Sequence, residues 1–217
     1  EKCEYRSRVL VLKSDEYNDV VLQAGLRGAF ATPVRVAVFE DEAGIHIGAT
    51  NPLSLNRTMV AEEGMQEAFA AAAQSLFALG ELAYPEQAQR TDYGRSRDKG
   101  RIGRTMGIMA GGPFEGKITE VTRVAGVPGE WQWEAHPVFT LDASSAGFAV
   151  VGVTGDPIEY KSFDIVGAGG DDDRKSYACP GIDHAPAYPL EVVLAQEGTE
   201  VAIYLVNEMF RMKMYFE

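Results

Sequence analysis

Cysteine is almost absent from this chain: Cys3 and Cys179 are the two in 217 residues. Their separation excludes a CxxC zinc site and a CxxCH haem attachment. It leaves one disulfide between them in an oxidising compartment, or two unpaired thiols. Histidine is scarce as well. His46, His136 and His184 form no HxxxH or HExxH pair, so no metal site is assigned to them. No GxSxG elbow and no local Cys–His arrangement is present, so catalytic residues are not assigned either. No run of 18 apolar residues occurs, which removes a membrane-spanning helix from the expectations. Basic residues are outnumbered, 20 against 32 acids, for a net charge of −12. A phosphate backbone repels such a chain, so nucleic acid is excluded as a partner.

What the chain does contain is a repeated pattern. Gly25 to Asn51 aligns without a gap on Gly181 to Asn207, at an offset of 156, with seven of 27 positions identical. Val34, Val36 and Val38 alternate with Arg35, Ala37 and Phe39, the period of a strand with two unlike faces. The Asp41-Glu42-Ala43-Gly44 turn follows, and Ile45, Ile47 and Ala49 resume the alternation. Leu190, Val192 and Leu194, then Glu197-Gly198-Thr199, then Val201, Ile203 and Leu205 repeat it. Both stretches read as β-hairpins, each led by a proline, Pro33 or Pro189. Upstream, SRVLVLKSDEYNDVVLQAG lies over SFDIVGAGGDDDRKSYACPG at nearly the same offset, each as strand, polar break, and short helix or turn. The expectation is an internal duplication of one α+β unit.

The first copy continues into Met65, Phe69, Ala72, Leu76 and Leu79, one apolar stripe that predicts a helix from Ala61 to Leu79. Glu62 and Glu63 favour its N-terminus, Gly80 its stop, and its alanine-rich face is expected to pack on the sheet. The second copy ends where its own helix would begin. Met209, Phe210, Met212, Met214 and Phe216 are therefore expected to form an association surface, covered by a neighbouring chain or a swapped element. The same methionines admit a soft-metal reading, with core filling as the simpler one.

Between the copies, residues 84–116 are rich in glycine and base, against the sign of the whole chain. They read as a linker or excursion, with Arg97, Arg101 and Arg104 as candidate anion- or partner-binding residues. WQWEAHPVFTL and GFAVVGVT supply two further strands. The domain plan is residues 1–83 as a first unit and 117–217 as a second, more complete one.

TPVRVAVFEDEAGIHIGATNP with its following amphipathic helix resembles the domain-of-unknown-function 302 family. IVGAGG and YPLEVVLAQEGTEVAIYLVN are similar to that family's strand, loop and hairpin. The resemblance implies an antiparallel sheet with helices on one face, laid out like TATA-binding-protein-like α+β folds, and no catalytic residues. The chain departs from the pattern in lacking a closing helix in its second copy. It opens on Glu1 rather than Met, which fits loss of an export signal and a periplasmic or secreted location, though ordinary processing gives the same start. The expected function is binding or assembly through a sheet face or an inter-unit cleft. The partner is a homo-oligomer, a partner subunit, or a small apolar ligand. A periplasmic redox-associated metal- or haem-binding protein and an enzyme with its cleft between the units are the alternatives. No particular cofactor is specified.

Overall fold

The computed structural model describes residues 7–41, 43–60, 63–83, 105–110, 134–156 and 182–206. They form two antiparallel sheets and a layer of helices, an α+β architecture. Strand β1 (Ser7–Leu12), β2 (Val34–Asp41) and β3 (Gly44–Ala49) make the first sheet, in the order β1-β2-β3. The second has five strands in the order β4-β8-β7-β6-β5. They are β4 (Thr105–Ala110), β5 (Glu134–Ala143), β6 (Phe148–Asp156), β7 (Leu190–Glu197) and β8 (Glu200–Val206).

The β2–β3 and β7–β8 hairpins share one register. Val36 faces Ala49 and Asp41 faces Gly44; Val192 faces Leu205 and Glu197 faces Glu200, each 156 residues on. The strand outside each hairpin is a different matter. Leu12 of β1 faces Val34, and in the second sheet Val153 of β6 faces Leu190, an offset of 141. The place beside β7 thus belongs to Phe148–Asp156, while residues 162–181, aligned upstream from sequence, lie outside the described residues. Within the stretch read as an excursion, Thr105–Ala110 pairs with β8 as an edge strand.

Four helices join the first sheet's strands and follow them. Helix α1 (Asp15–Val21) starts at Ser14, whose Oγ accepts the Tyr17 N–H at 3.3 Å, with Asp15 and Glu16 favouring its first turn. Helix α2 (Leu26–Ala31) follows and packs on β6 and β7. The 3₁₀ turn Ile182–Ala187, 156 residues later, packs on β1, β2 and β3. The helical segment before each hairpin thus covers the sheet of the other hairpin. Helix α3 (Pro52–Met59) was absent from the sequence reading. Asn51 Oδ1 accepts the Leu53 N–H at 3.0 Å and Pro52 takes the first helical position, so the Asn-Pro that closes the hairpin also opens a helix.

The long helix differs from expectation at both ends. A 3₁₀ turn occupies Glu63–Met65, and α4 runs Gln66–Ala83. Gly80 does not stop it. One interior glycine costs about 1 kcal/mol, and Glu81, Leu82 and Ala83 are good helix formers that carry the helix past it. Its main partners are α1 and α3 rather than a sheet, with Phe69 and Ala73 buried.

Tyr17, Phe30, Leu55, Val60 and Phe69 from the helices meet Leu141, Val150, Val193 and Val206 of the second sheet in one core. Tyr17 anchors it. Its hydroxyl donates toward both Ala31 O and Asn56 Oδ1, each at 3.0 Å. Burial pushes its pKa well above the ordinary tyrosine value, so the phenol stays protonated until strongly alkaline pH. Tyr17→Phe keeps the packing and leaves two buried acceptors short of a donor. A loss of about 1–3 kcal/mol in urea unfolding is expected, and a loss below about 0.5 kcal/mol would contradict the bonding described.

Candidate functional site

Three places stand out. The first lies where the sheets meet. Strand alternation directs Arg35, Ala37 and Phe39 inward, and all three are buried; Val36 and Val38, on the other face, are half-buried. Arg35 is fully buried. Its Nη2 donates to Pro189 O at 3.0 Å and to Glu191 Oε1, and Nη1 reaches Pro33 O at 3.4 Å. Glu191 is itself buried. Arg35 and Glu191 are 156 residues apart, as are Pro33 and Pro189. The guanidinium therefore lies between matched carbonyls of the two hairpins and binds the carboxylate at its own matched position.

Strand β6 is shaped for the same junction. Glu191 faces Gly152, where a Cβ would fall 2.0 Å from Cε1 of Phe139. The register shift between Pro137 and Phe139 sets that ring opposite Gly152, so a flat aromatic covers the backbone next to the buried carboxylate. Such a pair is costly to desolvate, and it holds two surfaces in one geometry. It has no opening to a substrate among the described residues and is read as structural.

The second place is a cleft of about 280 Å³ between the β1–α1 segment and the end of β5. It is lined by Lys13, Asp15, Asn18, Asp19, Asp142 and apolar Leu22 and Leu141. Asp142 accepts the Ser144 N–H at 2.9 Å, which holds its carboxyl below the ordinary aspartate range. Lys13 and Asp15 pair at 2.9 Å, both well exposed. Asn18 is only 4% exposed, and neither its Oδ1 nor its Nδ2 has a hydrogen-bond partner.

The third is the outer face of the first sheet. Leu10 and Leu12 of β1 are 49% and 40% exposed, and Ile45 and Ile47 of β3 are 74% and 40% exposed. Val36 and Val38 lie between them on β2. The matched face of the second sheet, with Val151, Val153, Leu194 and Val201, is buried.

The residues singled out from sequence fall elsewhere. Arg97, Arg101, Arg104, Cys3, Cys179, and Met209, Phe210, Met212, Met214 and Phe216 lie outside the described residues. His46 stacks on Phe39 across the hairpin, ring centroids 4.9 Å apart. Among the described residues no three His, Cys, Asp or Glu side chains are grouped to hold a metal ion. No described helix is long and apolar enough to cross a membrane. Asn56 heads the Asn56-Arg57-Thr58 sequon, yet it is fully buried and bonded to Tyr17, so the folded chain offers no glycosylation acceptor there. No protein-family model, curated protein or solved structure matches this chain.

Proposed function

We infer that the chain is an assembly protein built from a duplicated α+β unit, and that it acts by pairing the outer face of its first sheet with a second copy of itself. The exposed apolar face carried by Leu10, Leu12, Ile45 and Ile47 is the supporting observation. Contiguous apolar patches of roughly 300–600 Å² on a soluble protein commonly mark interaction sites. The face is also fit for self-pairing. Strand alternation gives it Arg8 and Glu40 as its charged side chains, one of each sign, beside an apolar centre. An isologous contact requires such self-complementarity. The shared hairpin register and the matched Arg35–Glu191 pair support the duplication. The resemblance to the domain-of-unknown-function 302 family contributes a sheet-and-helix layout.

A face centred on four exposed apolar side chains is expected to give a concentration-dependent dimer. Because each copy carries −12, added salt should tighten it by screening repulsion. Sedimentation velocity at micromolar to submillimolar protein, at low and high salt, tests this. Wild type is expected to dimerise, and Ile45→Asp with Ile47→Asp to remain monomeric with an unchanged circular dichroism spectrum. A wild-type monomer throughout, or a double variant that dimerises equally well, overturns the reading.

A further inference from the structure

Sheet edges offer unpaired backbone groups to other chains, and this protein guards its edges unequally. Strand β5, an edge of the second sheet, carries Pro137, a register shift between Pro137 and Phe139, and the charges of Glu134 and Asp142. Each of these discourages an added strand. Strand β1 carries Arg8. Strand β3 has no proline, no Asp, Glu, Lys or Arg, and an unbroken register. Among the described residues no strand lies beyond it. The Thr50 N–H donates to Arg35 O at 2.9 Å, and bonding alternates along an antiparallel strand, so Gly44, His46 and Gly48 bond toward β2. Ile45, Ile47 and Ala49 therefore direct N–H and C=O to the outer edge. All three residues are exposed.

The sequence of that edge is palindromic. Residues 43–49 read Ala-Gly-Ile-His-Ile-Gly-Ala, the same in both directions about His46. Two strands related by a two-fold axis run antiparallel, so a palindrome sets every residue against its own type. Ile45 meets Ile47 of the second copy, Gly44 meets Gly48, and His46 meets His46. The backbone parity agrees. Ile45 and Ile47 both face outward, so each such pair exchanges two hydrogen bonds, and His46 falls at a closely spaced pair between them. Opposed isoleucines are favourable cross-strand neighbours. In a chain of charge −12, this segment has no acidic side chain to repel its own copy.

We propose that β3 pairs with β3 of a second copy, antiparallel and centred on His46, joining the two first sheets in the order β1-β2-β3-β3-β2-β1. This edge contact is separate from the face contact above. It is isologous, so it closes at two copies, and it sets the outer faces of both copies side by side.

Hydrogen exchange of the intact chain, followed by nuclear magnetic resonance at low and high protein concentration, tests this. The Ile45 and Ile47 amides are expected to exchange at least about tenfold more slowly in the concentrated sample. A face contact alone brings no acceptor to these amides. Cross-linking is the second measure, with Cys3 and Cys179 replaced by serine. His46→Cys sets two thiols on Cα atoms roughly 4.5 Å apart, within disulfide reach. Ala49→Cys sets them on Cα atoms about 20 Å apart in the same register. Mild oxidation is expected to give a covalent dimer of the first variant and not of the second. Val38→Lys charges the outer face and leaves β3 untouched, so it should keep both signals. Amide exchange that does not change with concentration, equal cross-linking by the two cysteine variants, or loss of both signals in Val38→Lys overturns the proposal. A dimer seen by sedimentation without protection at Ile45 and Ile47 removes the edge contact and leaves the face reading standing.

Discussion

Glu191→Leu is expected to lose about 3–5 kcal/mol of stability, because it leaves the fully buried Arg35 guanidinium without its carboxylate. Among the described residues, Pro33 O and Pro189 O also accept hydrogen bonds from it but carry no charge. Arg35→Met should cost a comparable amount, since Glu191 then loses its buried guanidinium partner. The double variant, Arg35→Met with Glu191→Leu, removes both charges and should recover most of the loss, giving a coupling energy of several kcal/mol in a double-mutant cycle. Urea unfolding of the four proteins measures it. Two single variants that each lose less than about 1 kcal/mol would show that the pair is solvated in solution and does not hold the sheets.

Gly28→Ala is the second large effect, and here two physical terms oppose each other. Helix propensity alone favours alanine by about 1 kcal/mol in the middle of α2. Packing reverses the sign. A Cβ on Gly28 would lie 1.8 Å from the carbonyl oxygen of Val21 and 2.8 Å from its carbon, both backbone atoms at the end of α1. Neither can swing aside as a side chain would, so α2 has to move, and α2 carries Phe30 into the core. Overpacking of this kind costs about 3 kcal/mol or somewhat more. A lowered thermal midpoint is expected. A raised one would mean that α2 shifts freely and that propensity decides.

The two hairpins were legible because a strand writes itself locally. A residue's face is set by its parity, and the prolines and turn glycines bound each run. The expectation reached the strands and turns of both hairpins. It did not reach which parity is buried. Val36 and Val38 look like the inner face, yet Arg35, Ala37 and Phe39 face the junction, because a charge that is paired across the fold looks exposed when read along one strand. The signal was present nonetheless. Opposite charges stand at matched positions, 35 and 191, within the apolar parts of two strands, and the alignment of the two stretches already set them side by side.

Other features were illegible for stated reasons. Strand β4 has glycine within it and lies in a glycine-rich, basic stretch, so composition read as linker hides a strand made by pairing with β8. Helix α3 is short, and its Asn-Pro start served equally as the end of a hairpin. The acidic cleft joins Asn18 to Asp142, 124 positions later in the chain, and no local pattern marks either residue. Asn18 within DEYNDVV reads as an ordinary polar helix residue, and only its burial makes it distinctive.

The arginine and glutamate at matched positions also bear on how many chains the fold can tolerate. Were the units separate polypeptides, two copies of the first would bring arginine against arginine, and two copies of the second glutamate against glutamate. Either homotypic pairing is penalised at the most buried point of contact. Under the duplication reading, divergence at this one position made each half obligately dependent on the other. On that reading it removes self-association of the halves as a competing state, and the outer sheet face is the surface proposed above for contact between whole chains.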